Sequence, residues 1–266
     1  MKTNNSTIAF GLSLVWSAAS LFGQQPFPTQ QLTAVAVLQQ VHSTNLQGGA
    51  LPTDVTLTGV MTDETGKTEP YMVRIKGTNK IRYDIGFGDS QRVTVYNANQ
   101  GWTLVNKKLK ALQESTSVRR PTLIPALDLL NEYANPRLVT TDGGTGAIGP
   151  QIVRHLSLFL PDAAKSRPFG RKLDESEDVY FDPATNLVVR TQHFNRVEEN
   201  MDVQVPSTLD FSDYRLIGNV AIPFHIVNTT GSATLGGTHQ KTVVFNQAQI
   251  NANIPDSVFS AAAVKP

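Results

Sequence analysis

From residue 54 onward, apolar and polar positions alternate with a period of two in one short run after another. "DVTLTGVM", "PYMVRIKG", "KIRYDIGF", "QRVTVYN" and "GWTLVNKK" follow in quick succession, separated by turn-forming residues. A period of two puts successive side chains on opposite faces of a strand, so this stretch predicts a β-meander. Strands resume with "QIVRHLSLFL", "DVYFD", "NLVVRTQHF", "STLDFSDYRLI", "VAIPFHIVN" and "HQKTVVFNQAQI". Two segments keep a helical period instead. In "PTQQLTAVAVLQQVHSTN", residues 28 to 45, Leu32, Val35, Leu38 and Val41 recur at three-residue steps after Pro28 and Thr29, which suit a helix start. In "RRPTLIPALDLLNEYANP", Leu123, Leu127 and Leu130 recur at four- and three-residue steps, with Thr122 as a cap and Pro136 beyond the end. The charged, aperiodic "KSRPFGRKLDESED" predicts an exposed loop. The pattern as a whole is mainly β with helices, an α+β chain of antiparallel strands.

One stretch interrupts this reading. Gly144-Thr145-Gly146-Ala147-Ile148-Gly149 has the spacing G-x-G-x-x-G of a dinucleotide-binding loop. That loop works only where a helix begins at its last glycine and points its N-terminus at a pyrophosphate. Pro150 and the strand-patterned "QIVRHLSLFL" follow instead. The glycines are therefore expected to form a flexible turn between antiparallel strands, with no nucleotide bound.

Composition narrows the classes further. With 23 basic and 22 acidic residues among 266, the chain has no global field to attract nucleic acid. It has no cysteine, which excludes disulfides, thiol catalysis and thiolate metal sites, yet it is long enough to bury a large core without them. Its first residues, "MKTNNSTIAFGLSLVWSAASLFGQQPFP", order a single positive charge at Lys2, a short apolar core and small residues as a secretory signal peptide does. The expected organisation is a signal peptide over 1–23, cut between Ala19 and Gln25, and one domain over 24–266, soluble in the periplasm after export. Loss of Lys2 leaves 22 basic and 22 acidic residues.

Catalytic signals are sparse. Histidines 42, 155, 193, 225 and 239 are dispersed without metal-ligand spacing, and no G-x-S-x-G elbow occurs. Glu198 with Glu199, Asp174 with Glu175 and Glu177, and Asp210 with Asp213 are acid pairs in polar stretches, which solvated faces account for. No enzyme activity, cofactor or metal is expected.

Three groups of segments resemble the outer-membrane lipoprotein-sorting family, the periplasmic lipoprotein carriers and their relatives. The first is "NKIRYDIGFGDSQRVTVYNANQGWTLVNKKLKAL", similar to that family's basic-aromatic strand, hairpin, Asn/Asp-Gly turn and following aromatic strand. The second is "LSLFLPDA" with "DVYFDPATNLVVRTQHF". The third is "LDFSDYRLIGNVAIPFHI" closed by "VVFNQAQINANIPDSVF". The resemblance implies an incomplete antiparallel β-barrel, a half-barrel whose concave face is covered by helices, and a cavity that receives acyl chains of a lipoprotein or lipid. It also implies an envelope membrane protein as donor or acceptor. The family latches its helices with an arginine in a basic-Pro turn. Here the corresponding turn is "IKGTNK", with Lys76 the nearest counterpart and Gly77 an alternative alignment. Lysine lacks the planar bidentate geometry of arginine, so strict lipoprotein transfer does not follow.

Candidate ligand-binding residues are Val73, Ile75, Ile81, Tyr83, Val95, Trp102 and Leu104 on strands, faced by Leu123, Leu127 and Leu130 on the interrupting helix. Alternation alone does not distinguish inward from outward on every strand, so the helix residues are the firmer choice. Two roles fit: a carrier or binding protein for acyl chains, or a sensor of the same fold that acts on a protein partner and transports nothing. The first predicts apolar residues facing the apolar helix, the second a filled interior and an exposed patch.

Overall fold

The computed structural model describes residues 28–77, 79–97, 100–112, 123–127, 138–159, 176–197, 200–232 and 237–264. The proposed leader, Leu130, Glu198, Glu199 and most of the expected second helix lie outside these residues.

Among the described residues, a helix, α1 (Pro28–Asn45), precedes thirteen strands. The first six are β1 (Asp54–Asp63), β2 (Thr68–Lys76), β3 (Lys80–Ile85), β4 (Arg92–Asn97), β5 (Gln100–Val105) and β6 (Lys108–Ala111). The rest are β7 (Val139–Ile148), β8 (Gln151–Phe159), β9 (Ser176–Phe181), β10 (Val188–Val197), β11 (Asn200–Ile217), β12 (Val220–Ser232) and β13 (Gly237–Ile250). They form a single open sheet in the order β6-β5-β4-β3-β2-β1-β13-β12-β11-β10-β9-β8-β7. Each of these neighbouring pairs is antiparallel. Among the described strands, only the pairing of β1 with β13 joins strands distant in sequence; it brings the two meanders side by side.

The expected strands are present, with three differences. The glycines of 144–149 lie mostly within β7, which pairs with β8 through Ile148; the turn itself is Gly149-Pro150, with Gly149 at φ 56°. A bulge between Asp142 and Gly144 admits them, and Gly144 takes φ 80°, a conformation that residues without Cβ adopt without strain. A strand, not a helix, follows the glycines. Second, the expected loop ends earlier: Ser176, Glu177 and Asp178 already belong to β9, where Glu177, Val179 and Phe181 are buried in alternation. Third, the buried stripe of α1 is Ala34, Val37, Leu38 and Val41, while Val35 is only half-buried. Steps of three fall short of the 3.6-residue turn and drift off the face, whereas i, i+3, i+4, i+7 stays on it.

The main core joins this stripe of α1 to one face of the sheet from β3 round to β8. Helix α1 lies against β7 and β12. Its end is fixed by Asn45, whose buried amide donates to Val41 O (2.7 Å) and to Asn186 O (3.1 Å). A second core, on the other face of β4 and β5, lies beneath the C-terminal segment with its 3-10 turns Asp256–Phe259 and Ala261–Val264.

Candidate binding face

Registers decide which strand residues share a face, because residues directly opposite one another in an antiparallel pair point the same way. Leu57 pairs with Val73, and Val73 with Tyr83; Val55 pairs with Ile75, and Ile75 with Ile81. All six are buried in the main core. Tyr71, Tyr83 and Phe245 extend the same surface as a row of rings, with Tyr71 stacked on both neighbours at 6.5 and 6.0 Å between centroids. Tyr96 meets Tyr83 edge-on at 6.2 Å. Burial pushes the Tyr71 phenol well above its ordinary value, which keeps it neutral.

The helical residues meet this face. A single helical turn at 125–127 is described, and Leu123, Ile124, Ala126 and Leu127 are all buried in the same cluster as Val73 and Tyr83. Of the ten residues expected to line one surface, Val73, Ile75, Ile81, Tyr83, Leu123 and Leu127 are thus brought together.

Three are not. Ile81 pairs with Tyr96 and Tyr83 with Thr94, so Val93 and Val95 point the opposite way. Val95 then pairs with Trp102 and Val93 with Leu104. The expectation of a shared inner surface is corrected for Val95, Trp102 and Leu104, which pack with Ile254, Phe259 and Val264 of the C-terminal segment. Both faces of β4 carry covered side chains, so its alternation offers no sign of which face meets the helices. Conversely, Tyr71, Phe211, Phe224, Ile226 and Phe245 were not singled out from the sequence, although the same period-two rule places them on the main core face.

Lys76 also lies away from the helical turn. Its ammonium donates to Ile254 O (2.8 Å) and sits 2.7 Å from Asp256 Oδ1, while Lys80 takes Asp256 Oδ2 at 2.8 Å. It therefore clamps the C-terminal segment, which corrects the expectation of a helix latch. The two lysines hold the Asp256 carboxyl down at about 2. Neighbouring groups reinforce the clamp. Buried Asp54 accepts the backbone N–H groups of Ala252 (2.8 Å) and Asn253 (3.0 Å), and Arg82 donates to Val258 O (3.2 Å) and Ala263 O (3.0 Å) while paired with Asp84.

The main core face thus offers apolar and aromatic surface with few ionisable groups. On the other side, His155 and Ser157 both bond Asp178, at 2.9 and 2.7 Å, so the serine proton is held by the carboxylate and not by the imidazole. Among the described residues, no group of three metal-ligating side chains converges and no helix is long and apolar enough to cross a membrane.

No protein-family model and no curated protein matches the sequence. Solved structures do match the fold. A DUF1329 family protein from Desulfovibrio piger superposes with TM-score 0.59 at 9% identity, over 89% of this chain and 99% of that one. An outer membrane lipoprotein-sorting protein domain from Vibrio parahaemolyticus gives TM-score 0.59 at 10% identity, over 89% and 100%. A LolA superfamily protein from Nitrosomonas europaea gives 0.54 at 11% identity, over 86% and 98%. The chain has the fold of this group of proteins.

Proposed function

We propose that the chain is an exported carrier or binding protein for acyl chains of lipids or lipoproteins, held between the curved sheet and the helical residues opposite it. The reading rests on one observation above the others. In a fold shared with lipoprotein-sorting proteins, a single apolar face draws side chains from both meanders and meets Leu123, Ile124 and Leu127. Such a face suits acyl chains, because each buried CH₂ contributes about 0.8 kcal/mol without any directional contact. Binding then needs no covalent step, and release needs only separation of helical residues from sheet. The leader over 1–23 and the periplasmic setting belong to the same proposal, with 24–266 as the working domain. A donor or acceptor in the envelope membrane completes it.

The test is native mass spectrometry of the protein purified from its own envelope, followed by solvent extraction and displacement with a fluorescent fatty acid. A co-purifying lipid, released in stoichiometric exchange for the probe, is the expected result. Ligand-free protein that shows no saturable fatty-acid binding would overturn the carrier and leave the sensor role.

A further inference from the structure

Across β8 to β11 the main core face is not apolar throughout. Leu156 pairs with Val179, Val179 with Thr191 and Thr191 with Leu209, so these four side chains form one row on one face. Leu156, Val179 and Leu209 belong to the main core, and Thr191, just as buried, is the polar member of the row. The adjacent row, two residues away on each strand, is mostly polar. His193 pairs with Ser207, and Leu158 of the main core pairs with both Thr140 and Glu177. Side chains two apart on a strand share a face, so His193 and Ser207 lie on the side of Thr191 and Leu209, and Glu177 on that of Val179. All of them are buried. In the opposite direction the same face continues with Phe181, Val188 and Phe211.

The hydroxyls of this region are not equally provided for. Ser207 Oγ lies 3.2 Å from Thr230 Oγ1, and Thr230 donates to Asn228 Oδ1 (3.2 Å), so the serine proton enters a relay that ends on an acceptor. Thr191 has no such outlet. Its Oγ1 is fully buried and, among the described residues, meets no hydrogen-bond partner. A hydroxyl taken out of water without a replacement bond is a net cost to the fold, and a ligand that accepts from it removes that cost.

We propose that Thr191 receives the carbonyl of the bound acyl chain, the ester or amide that joins the chain to its head, and that the chain runs from there over Leu209 and Phe211. The inference rests on the acyl-carrier reading, since Val179, Leu209 and Phe211 belong to the face assigned to the chain. Thr191 can donate one proton, and an acyl carbonyl offers an acceptor without a charge. It can therefore follow the chain onto the core face without the desolvation cost of an ion. The head beyond the carbonyl then lies toward His193, Ser207 and Glu177, where polar groups take the place of hydrocarbon.

A matched pair of ligands tests this below their micelle concentrations: monomyristoylglycerol and the monotetradecyl ether of glycerol, which differ only in a C=O replaced by CH₂. Each competes with a fluorescent fatty acid on the whole mature chain. The ester is expected to displace the probe at roughly tenfold lower concentration than the ether, a ratio equivalent to about 1.4 kcal/mol. In Thr191→Val the ratio should fall to about one, with the ether binding as before and the ligand-free Tm unchanged or raised, because a methyl group replaces an unpaired hydroxyl. Thr191→Ser, which keeps the hydroxyl, should keep the preference. A lipopeptide carrying two myristoyl esters, run beside the glycerol ester, tells a lipoprotein source from a lipid one by which displaces the probe at the lower concentration. Equal binding of ester and ether to the wild type, a preference that survives Thr191→Val, or a Tm lowered by several degrees in that variant would overturn the carbonyl assignment alone. Absence of saturable probe binding, or failure of every ligand to displace the probe, would overturn the carrier reading and the assignment with it.

Discussion

Leu127→Ala, set beside Leu38→Ala, separates a lining wall from a packed core. Both leucines belong to the main core, Leu38 with no exposure and Leu127 with 6%. Truncation removes three carbons, which at ~0.8 kcal/mol each is about 2.4 kcal/mol of lost transfer energy. Where neighbours cannot collapse into the gap, the loss rises toward ~5 kcal/mol. Leu38 sits in the buried stripe of α1, and its truncation should reach the upper part of that range. Leu127 lies on a helical turn of which 125–127 is described, with its N–H bonded to Ile124 O at 2.9 Å, facing the strands across the space assigned to the acyl chain. Its truncation should cost the ligand-free protein about 2 kcal/mol or less and weaken acyl binding by about tenfold or more, since the chain loses the same contacts. Thermal denaturation reads the first quantity, at about 2–4 °C per kcal/mol for a domain near this size. Titration with a fluorescent fatty acid reads the second. Equal losses of Tm in the two variants, with fatty-acid affinity unchanged by Leu127→Ala, would refute the argument.

Three further outcomes follow from the C-terminal clamp and the centre of the sheet. Because the Asp256 carboxyl is depressed to about 2 by Lys76 and Lys80, its contribution to the clamp is complete above its ordinary value near 3.8 and is lost as pH falls from there through 2. Trp102 emission should shift to the red in that window, and Asp256→Asn should remove this component; an unchanged acid profile in the variant would count against it. Asp54→Ala leaves the N–H groups of Ala252 and Asn253 without their buried acceptor and should cost about 1–3 kcal/mol in urea denaturation, with faster proteolysis after residue 250 and acyl affinity retained. Gly59 faces the Val244 carbonyl so closely that a Cβ there meets backbone, so Gly59→Ala should destabilise by about 3 kcal/mol; a neutral effect on Tm would mean that the β1–β13 bulge is looser than the register shows.

Local pattern carried a good part of this protein. Alternation located eleven of the thirteen strands described, all but β6 and the glycine-bearing β7. It missed β6, where all four residues of "KLKA" are exposed and no apolar face exists to be read. It placed β11 as a strand but not its start at Asn200. The long helix was legible from its period, although its buried stripe is offset from the three-residue steps that revealed it. The glycines of 144–149 were correctly denied a helix, because the residues after Gly149 alternate.

What the sequence determined by itself is therefore whatever depends on neighbours along the chain: the period of each element, the turn residues, the absence of thiols and the balance of charge. Which face of a strand is covered, and by what, depends on residues far away. Val73 and Val95 look alike in their strands, yet the register through Tyr83, Thr94 and Tyr96 sends them to opposite sides. Lys76 reads as a latch until the C-terminal segment, some 180 positions later, arrives beside it with Ile254 O and the Asp256 carboxylate. The parting of β12 and β13 beyond His225 and Val244 has no local signature either, since each strand there is well paired on its other side. Strand pairing is a contact between distant parts of the chain, and only the folded sheet sets its partners and its ends.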